Sequence, residues 1–94
     1  MILKSFKKGL FDMLATVASA TSAGRIKRRA AEFGIYSSII QTPHKLAKEG
    51  CGYSLRFDDS AQKIIENAAR ELGIKIRAFY TENTIDSKTT YSRV

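Results

Sequence analysis

The chain has one cysteine, Cys51, and it sits between two glycines in the segment Thr42–Phe57, TPHKLAKEGCGYSLRF. Gly50 and Gly52 leave the sulfur without neighbouring side chains to shield it and allow backbone angles that other residues resist. His44, Lys45, Lys48 and Arg56 are close in sequence. Positive charge near a thiol favours the thiolate, and the thiolate is the nucleophile. The chemistry open to such a group is thiol exchange, governed by thiolate fraction, leaving group and access. The alternative for a lone cysteine is a small buried hydrophobe. His44 lies seven residues before Cys51, and it is either a base toward the thiol or a surface-loop histidine. Lys45, Lys48 and Arg56 are either anion-stabilising or a solvated basic rim.

Other chemistries find little support. No third group completes a catalytic triad, and neither a Walker nor a dinucleotide glycine pattern is present. One Cys, one His and nine carboxylates make a structural zinc site an unfavourable reading, since such sites want four soft ligands at short spacing. A single Cys excludes an intrachain disulfide. The expectation is therefore a protein with no metal and no cofactor, and not an enzyme.

The elements that must hold this loop follow from periodicity. Ninety-four residues make one domain, and 44% hydrophobic with 27% charged residues is a globular balance. Leu10–Val17 alternates and reads as a first strand. Thr21–Phe33 places Ala23, Ile26, Ala30 and Phe33 on one helical face, with Gly34 as its stop. Ile35–Gln41 is β-branched and aromatic and reads as a strand that Thr42-Pro43 ends. Within the loop that follows, Lys45–Glu49 has room for one helical turn. Tyr53–Phe57 is a third strand, with Tyr53, Leu55 and Phe57 facing one way and Ser54 and Arg56 the other. Asp58 and Asp59 precede a second helix, Ser60–Leu72, and Asp59 with Gln62 has the spacing of a capping box. Ile74–Tyr80 is a fourth strand, with Phe79 on the same side as Lys75 and Arg77. The order β-α-β-β-α-β predicts an α+β, ferredoxin-like fold: a four-stranded antiparallel sheet with two helices on one face. Residues 1–9 form a basic leader and 10–80 the domain. Residues 81–94, with six Ser or Thr and no periodic pattern, read as a flexible C-terminal tail.

The Ser/Thr-rich start of the first helix, the Gly34-Ile35 junction, Thr42-Pro43 with Leu46 following, and above all Gly50-Cys51-Gly52-Tyr53-Ser54-Leu55-Arg56-Phe57 resemble the selenium/sulfur carrier protein-like family. The resemblance covers roughly Leu10–Tyr80. It implies that the Cys51 thiolate takes sulfur or selenium from a donor protein, such as a cysteine desulfurase, and hands it to an acceptor protein. In that role Gly50, Gly52, Pro43 and His44 shape the loop, and Lys45, Lys48 and Arg56 stabilise the anion being carried. Two features depart from the family pattern: His44 follows Pro43 where an Arg is expected, and the stretch from Pro43 to Cys51 is one residue longer.

Charge leaves a rival open. The net charge is +7, and residues 1–57 hold ten basic and three acidic groups while 58–94 hold six of each. Such asymmetry suits nucleic acid or an acidic partner. A basic sheet face carrying Ser54, Arg56, Lys75, Arg77, Phe79 and Tyr36 would bind phosphates or pair two subunits as a homodimer. Lys4, Lys7 and Lys8 before an apolar run also outline a secretory signal. Asp12 within that run and its alternation favour the strand, hence a cytoplasmic protein. No stretch reaches the roughly 18 apolar residues of a membrane span.

Overall fold

A computed structural model of the chain describes residues 12–49 and 52–94; of Lys48 and Glu49 it describes the backbone. The basic leader 1–9, together with Leu10 and Phe11 of the expected first strand, lies outside the described residues. The elements run β1 Met13–Val17, α1 Ala20–Ala31, β2 Ser38–Gln41, a 3-10 segment His44–Glu49, β3 Tyr53–Phe57, a 3-10 turn Asp59–Ala61, α2 Gln62–Leu72, β4 Ala78–Ile85 and β5 Lys88–Arg93. The strands form one antiparallel sheet in the order β2-β3-β1-β4-β5.

The helices start and stop where side chains and glycines allow. Ser19 is extended and its hydroxyl accepts the Ser22 N–H at 3.1 Å, capping α1. Gly34 and Gly73 take left-handed conformations at φ +81° and +72°. In each case the next residue's N–H reaches back five residues along the turn, Ile35 to Ala30 O at 3.1 Å and Ile74 to Ala69 O at 2.9 Å. This closing motif needs a residue without a Cβ penalty at positive φ. The expected Asp59 capping box does not form. Asp58 caps the preceding 3-10 turn instead, and α2 begins without a side-chain cap. Asp59 is drawn away because its N–H donates to Asp12 Oδ1 at 2.8 Å.

The core lies between the helices and one face of the sheet. Met13, Ala15, Val17, Leu55 and Phe57 meet Ala23, Ile26 and Ala30 of α1 and Ile65, Ala68 and Ala69 of α2. Tyr53, Ile64, Leu72, Ile74, Ile76 and Phe79 pack around this cluster. Phe33, expected on the buried face of the first helix, is 56% exposed. The helix ends at Ala31, and the Phe33 ring instead lies beneath the Arg29 guanidinium, 5.1 Å from its carbon.

Three expectations are corrected. The sheet has five strands rather than four, because Thr81–Val94 is no tail: it completes β4 and forms β5. Asp86 and Ser87, both at positive φ, make the turn between them. The fourth strand starts at Ala78, not Ile74. Residues 74–77 leave the Gly73 stop in an irregular path, so alternation cannot be counted through them. As a result Phe79 faces inward, edge-on to Phe57 with centroids 6.3 Å apart, and not outward with Lys75 and Arg77.

Candidate functional site: the cysteine loop and the open sheet face

The loop that holds the thiol joins β2 to β3. Its base is closed by the Thr42 N–H, which donates to the Gly52 carbonyl at 3.0 Å. That bond extends the ladder by one step beyond Gln41 opposite Tyr53. Pro43, whose ring pre-sets φ, starts the 3-10 segment, and its carbonyl accepts the Leu46 N–H at 2.8 Å. A kink at Ala47 divides the segment.

The expected site residues fall in two places. Pro43 is half-buried at the loop base, and His44 is exposed where the 3-10 segment starts. Lys45 is also exposed, and its ammonium donates to the Thr89 carbonyl of β5 at 3.1 Å. The 3-10 segment therefore reaches across the sheet face that carries no helices. Gly52 is exposed, has an ordinary backbone φ, and a Cβ there would meet open space. What this glycine supplies is a missing side chain, not unusual backbone angles. Gly50 and Cys51, and the side chain of Lys48, lie outside the described residues.

Arg56 projects from β3 onto the open face and is turned away from the loop. Its Nε lies 3.2 Å from Glu82 Oε1, and its Nη2 lies 2.9 and 3.0 Å from Oε1 and Oε2. Beside this pair, burial pushes the Tyr91 hydroxyl above its ordinary pKa; the Glu82 carboxylate adds to the effect and Arg56 opposes it.

Sequence reasoning missed Glu82, Thr89 and Tyr91, because they belong to the segment read as a tail. It also placed Ser54 on a wet face. Ser54 is fully buried and shares a 2.8 Å hydrogen bond with the Thr42 hydroxyl. A second gathering, Asp12, Asp58 and Asp59, brings three carboxylates within 4.8 Å of one another. Two of the three already accept backbone N–H groups, Asp12 from Asp59 and Asp58 from Ser60.

Fold and loop together define a small α+β protein whose one thiol lies, by sequence, in the β2–β3 connection. Residues 12–81 match the family described as "Putative Se/S carrier protein-like", and the chain belongs to that family. The matched span takes in the whole cysteine loop and ends within β4. No curated protein and no solved structure matches the chain. Among the described residues, no helix is long and apolar enough to cross a membrane.

Proposed function

We propose that this protein carries sulfur or selenium between proteins on the Cys51 thiol. One observation carries the reading: the family match spans the loop that contains the chain's single cysteine. The sheet order β2-β3-β1-β4, with both helices on one face, supports reading the domain as ferredoxin-like with β5 added at one edge. A scaffold of this size suits a carrier, which must expose one reactive atom and be recognised by two partners.

The loading step needs no outside oxidant. The Cys51 thiolate attacks the outer sulfur of a persulfide on a donor such as a cysteine desulfurase. A bond forms between Cys51 Sγ and that sulfur as the donor's S–S bond breaks. The donor's thiolate leaves with the electron pair and takes up a proton. Cys51 then holds the atom as Cys-S-S⁻, or Cys-S-Se⁻ when selenium is carried, until an acceptor protein attacks it in the same way. Lys45, with one of its three N–H donors spent on a neutral carbonyl, keeps its charge for the anion. Arg56 is the weaker candidate because Glu82 neutralises it. The protein itself turns over no substrate and works in the cytoplasm, where thiols stay reduced.

Intact-mass spectrometry before and after incubation with a cysteine desulfurase and cysteine tests this. The expected result is gain of one reducible sulfur, abolished in Cys51→Ser while the fold survives. An active desulfurase and a free thiol with no mass gain would overturn the reading.

A further inference from the structure

The sheet has two edges, β2 and β5, and they are built differently. The β5 edge, KTTYSR, carries Lys88 and Arg93 at its ends, the kind of charge that keeps an edge from pairing. The β2 edge, SIIQ, carries none. The whole stretch from Phe33 to Pro43 is uncharged in a chain of net charge +7. It also holds Phe33, Tyr36 and Ile39, three of the five large hydrophobic residues that are exposed among those described. The outer side of the β2 backbone has nothing to bond. Thr42 sends its N–H toward β3, to the Gly52 carbonyl. Backbone groups alternate in direction along an antiparallel strand, so Ile40 also faces β3, while Ile39 and Gln41 send N–H and C=O outward. Among the described residues, none bonds to these outward groups.

One side chain beside this edge lacks a partner too. Ser37, the residue before β2, is 2% exposed, and its hydroxyl has no hydrogen-bond partner. A buried hydroxyl left unpaired is costly. Alternation puts Ser37 on the same side of the strand as Ile39 and Gln41. That is the helix side, since Leu55 and Tyr53 opposite them belong to the core and its margin.

We infer that β2 is the seam of a homodimer, pairing antiparallel with β2 of a second copy across a two-fold axis at Ile39. A two-fold axis pairs each residue with the one equally far on the other side of it. Ile39 then meets Ile39, and Ser37 of each copy lies opposite Gln41 of the other. These are the residues whose backbone groups face outward, so each pair can exchange both of its N–H···O bonds. On either side of the apolar centre, the Gln41 amide stands opposite the unpaired Ser37 hydroxyl and has an oxygen to accept its proton. Charge selects a second copy as the occupant. Two chains at +7 repel, and this seam sets no like charges against each other. The same operation at the middle of β5 would set Lys88 opposite Arg93 twice, and like charges directly opposite oppose pairing. The seam is thus a sheet edge and not the basic sheet face, and it does not depend on the carrier reading.

The test is sedimentation equilibrium of the full chain, under reducing conditions at physiological salt, from micromolar to near-millimolar protein. The apparent mass is expected to rise from 10.5 kDa toward twice that value. Ile39→Lys places two ammonium groups at the axis and is expected to weaken association roughly a hundredfold. Thr90→Lys adds the same charge on β5 and is expected to leave association unchanged. If Ile39→Lys does not fold, Gln41→Pro takes its place, because it removes an N–H that faces outward. Hydrogen exchange reads the register. The Ile39 and Gln41 amides are expected to be slow in concentrated protein and fast on dilution, while the Ile40 amide stays slow in both. A chain that is monomeric throughout overturns the seam, as does a dimer that the edge variants leave intact. Outward amides that exchange at one rate at both concentrations overturn it too. A monomer whose Ile39 and Gln41 amides slow only when another protein is added would give the edge to a foreign strand instead.

Discussion

Arg56 of β3 reaches across β1 to Glu82 of β4 and holds both oxygens of its carboxylate. The pair spans two strand spacings on the open face, beside Leu14, which is fully buried there. The Glu82 side chain is 12% exposed and that of Arg56 35%. Removing the arginine would strand a carboxylate with little access to water. Loss of one partner costs roughly 3–5 kcal/mol in a fully buried pair and about 0–1 in an exposed one. Arg56→Met should fall between, at about 2 kcal/mol by urea unfolding. Adding Glu82→Gln should recover part of that loss. A double variant no more stable than Arg56→Met would show that the pair holds nothing together.

Asp12 should give the protein a pH dependence opposite to that of a salt-bridged acid. Burial holds its carboxyl above the ordinary carboxylate pKa, and the Asp59 and Asp58 charges push the same way, while the Asp59 N–H pulls it down. The folded state thus binds this proton more tightly than the unfolded chain does. The group favours folding most at low pH. That advantage erodes as pH rises from the ordinary carboxylate value, about 4, through the raised one, and levels off above it. Asp12→Asn keeps an oxygen to accept the Asp59 N–H and cannot ionise. Its stability relative to wild type should therefore climb across that window and plateau near neutrality. A difference independent of pH in urea unfolding would refute this.

The glycines should separate sharply. Gly73 sits at φ +72°, and an L-residue in the left-handed region costs roughly 1–2 kcal/mol. Gly73→Ala should show that loss in thermal or chemical unfolding. Gly52 has an ordinary φ and open space around it, so Gly52→Ala should change stability by less than about 0.5 kcal/mol. Its effect should appear in the rate of sulfur loading instead. Equal destabilisation by the two substitutions would mean that Gly52 is held in a conformation only glycine tolerates.

The α/β alternation, both helices and the inward residues of β3 were legible because each depends on local periodicity and on glycine stops at 34 and 73. The β4–β5 hairpin was not. Its turn, Asp86-Ser87, lacks the glycine that usually marks positive φ, and a strand such as KTTYSR looks polar because it lies at a sheet edge. The positive φ at Asp86 and Ser87 is a backbone fact that composition does not announce. Burial of Ser54 was hidden for a different reason. Alternation assigned it correctly to the open face, but alternation is silent on what covers that face. There Lys45 of the 3-10 segment contacts β5, a strand the sequence had not revealed. The loop's basic residues were found, yet the pairing of Arg56 with Glu82 depends on that same hairpin.

Phe79 decides between a sheet face built for stacking bases and one built for packing. Counting alternation from Ile74 puts it outside with Arg77, where an exposed aromatic would stack on nucleic acid. The strand that forms starts at Ala78 and points Phe79 at Phe57, edge-on at 88°. Aromatic truncation in a full core costs about 3–5 kcal/mol. Phe79 is half-buried, so Phe79→Ala should cost about 2 kcal/mol in urea unfolding, and Phe79→Leu less. Titration with a single-stranded RNA at physiological salt should show the same weak affinity before and after the substitution. A variant that kept its stability but lost RNA affinity would restore the nucleic-acid reading of the open face. A stability loss with unchanged affinity would leave the basic half of the chain free to serve the donor and acceptor proteins of a carrier.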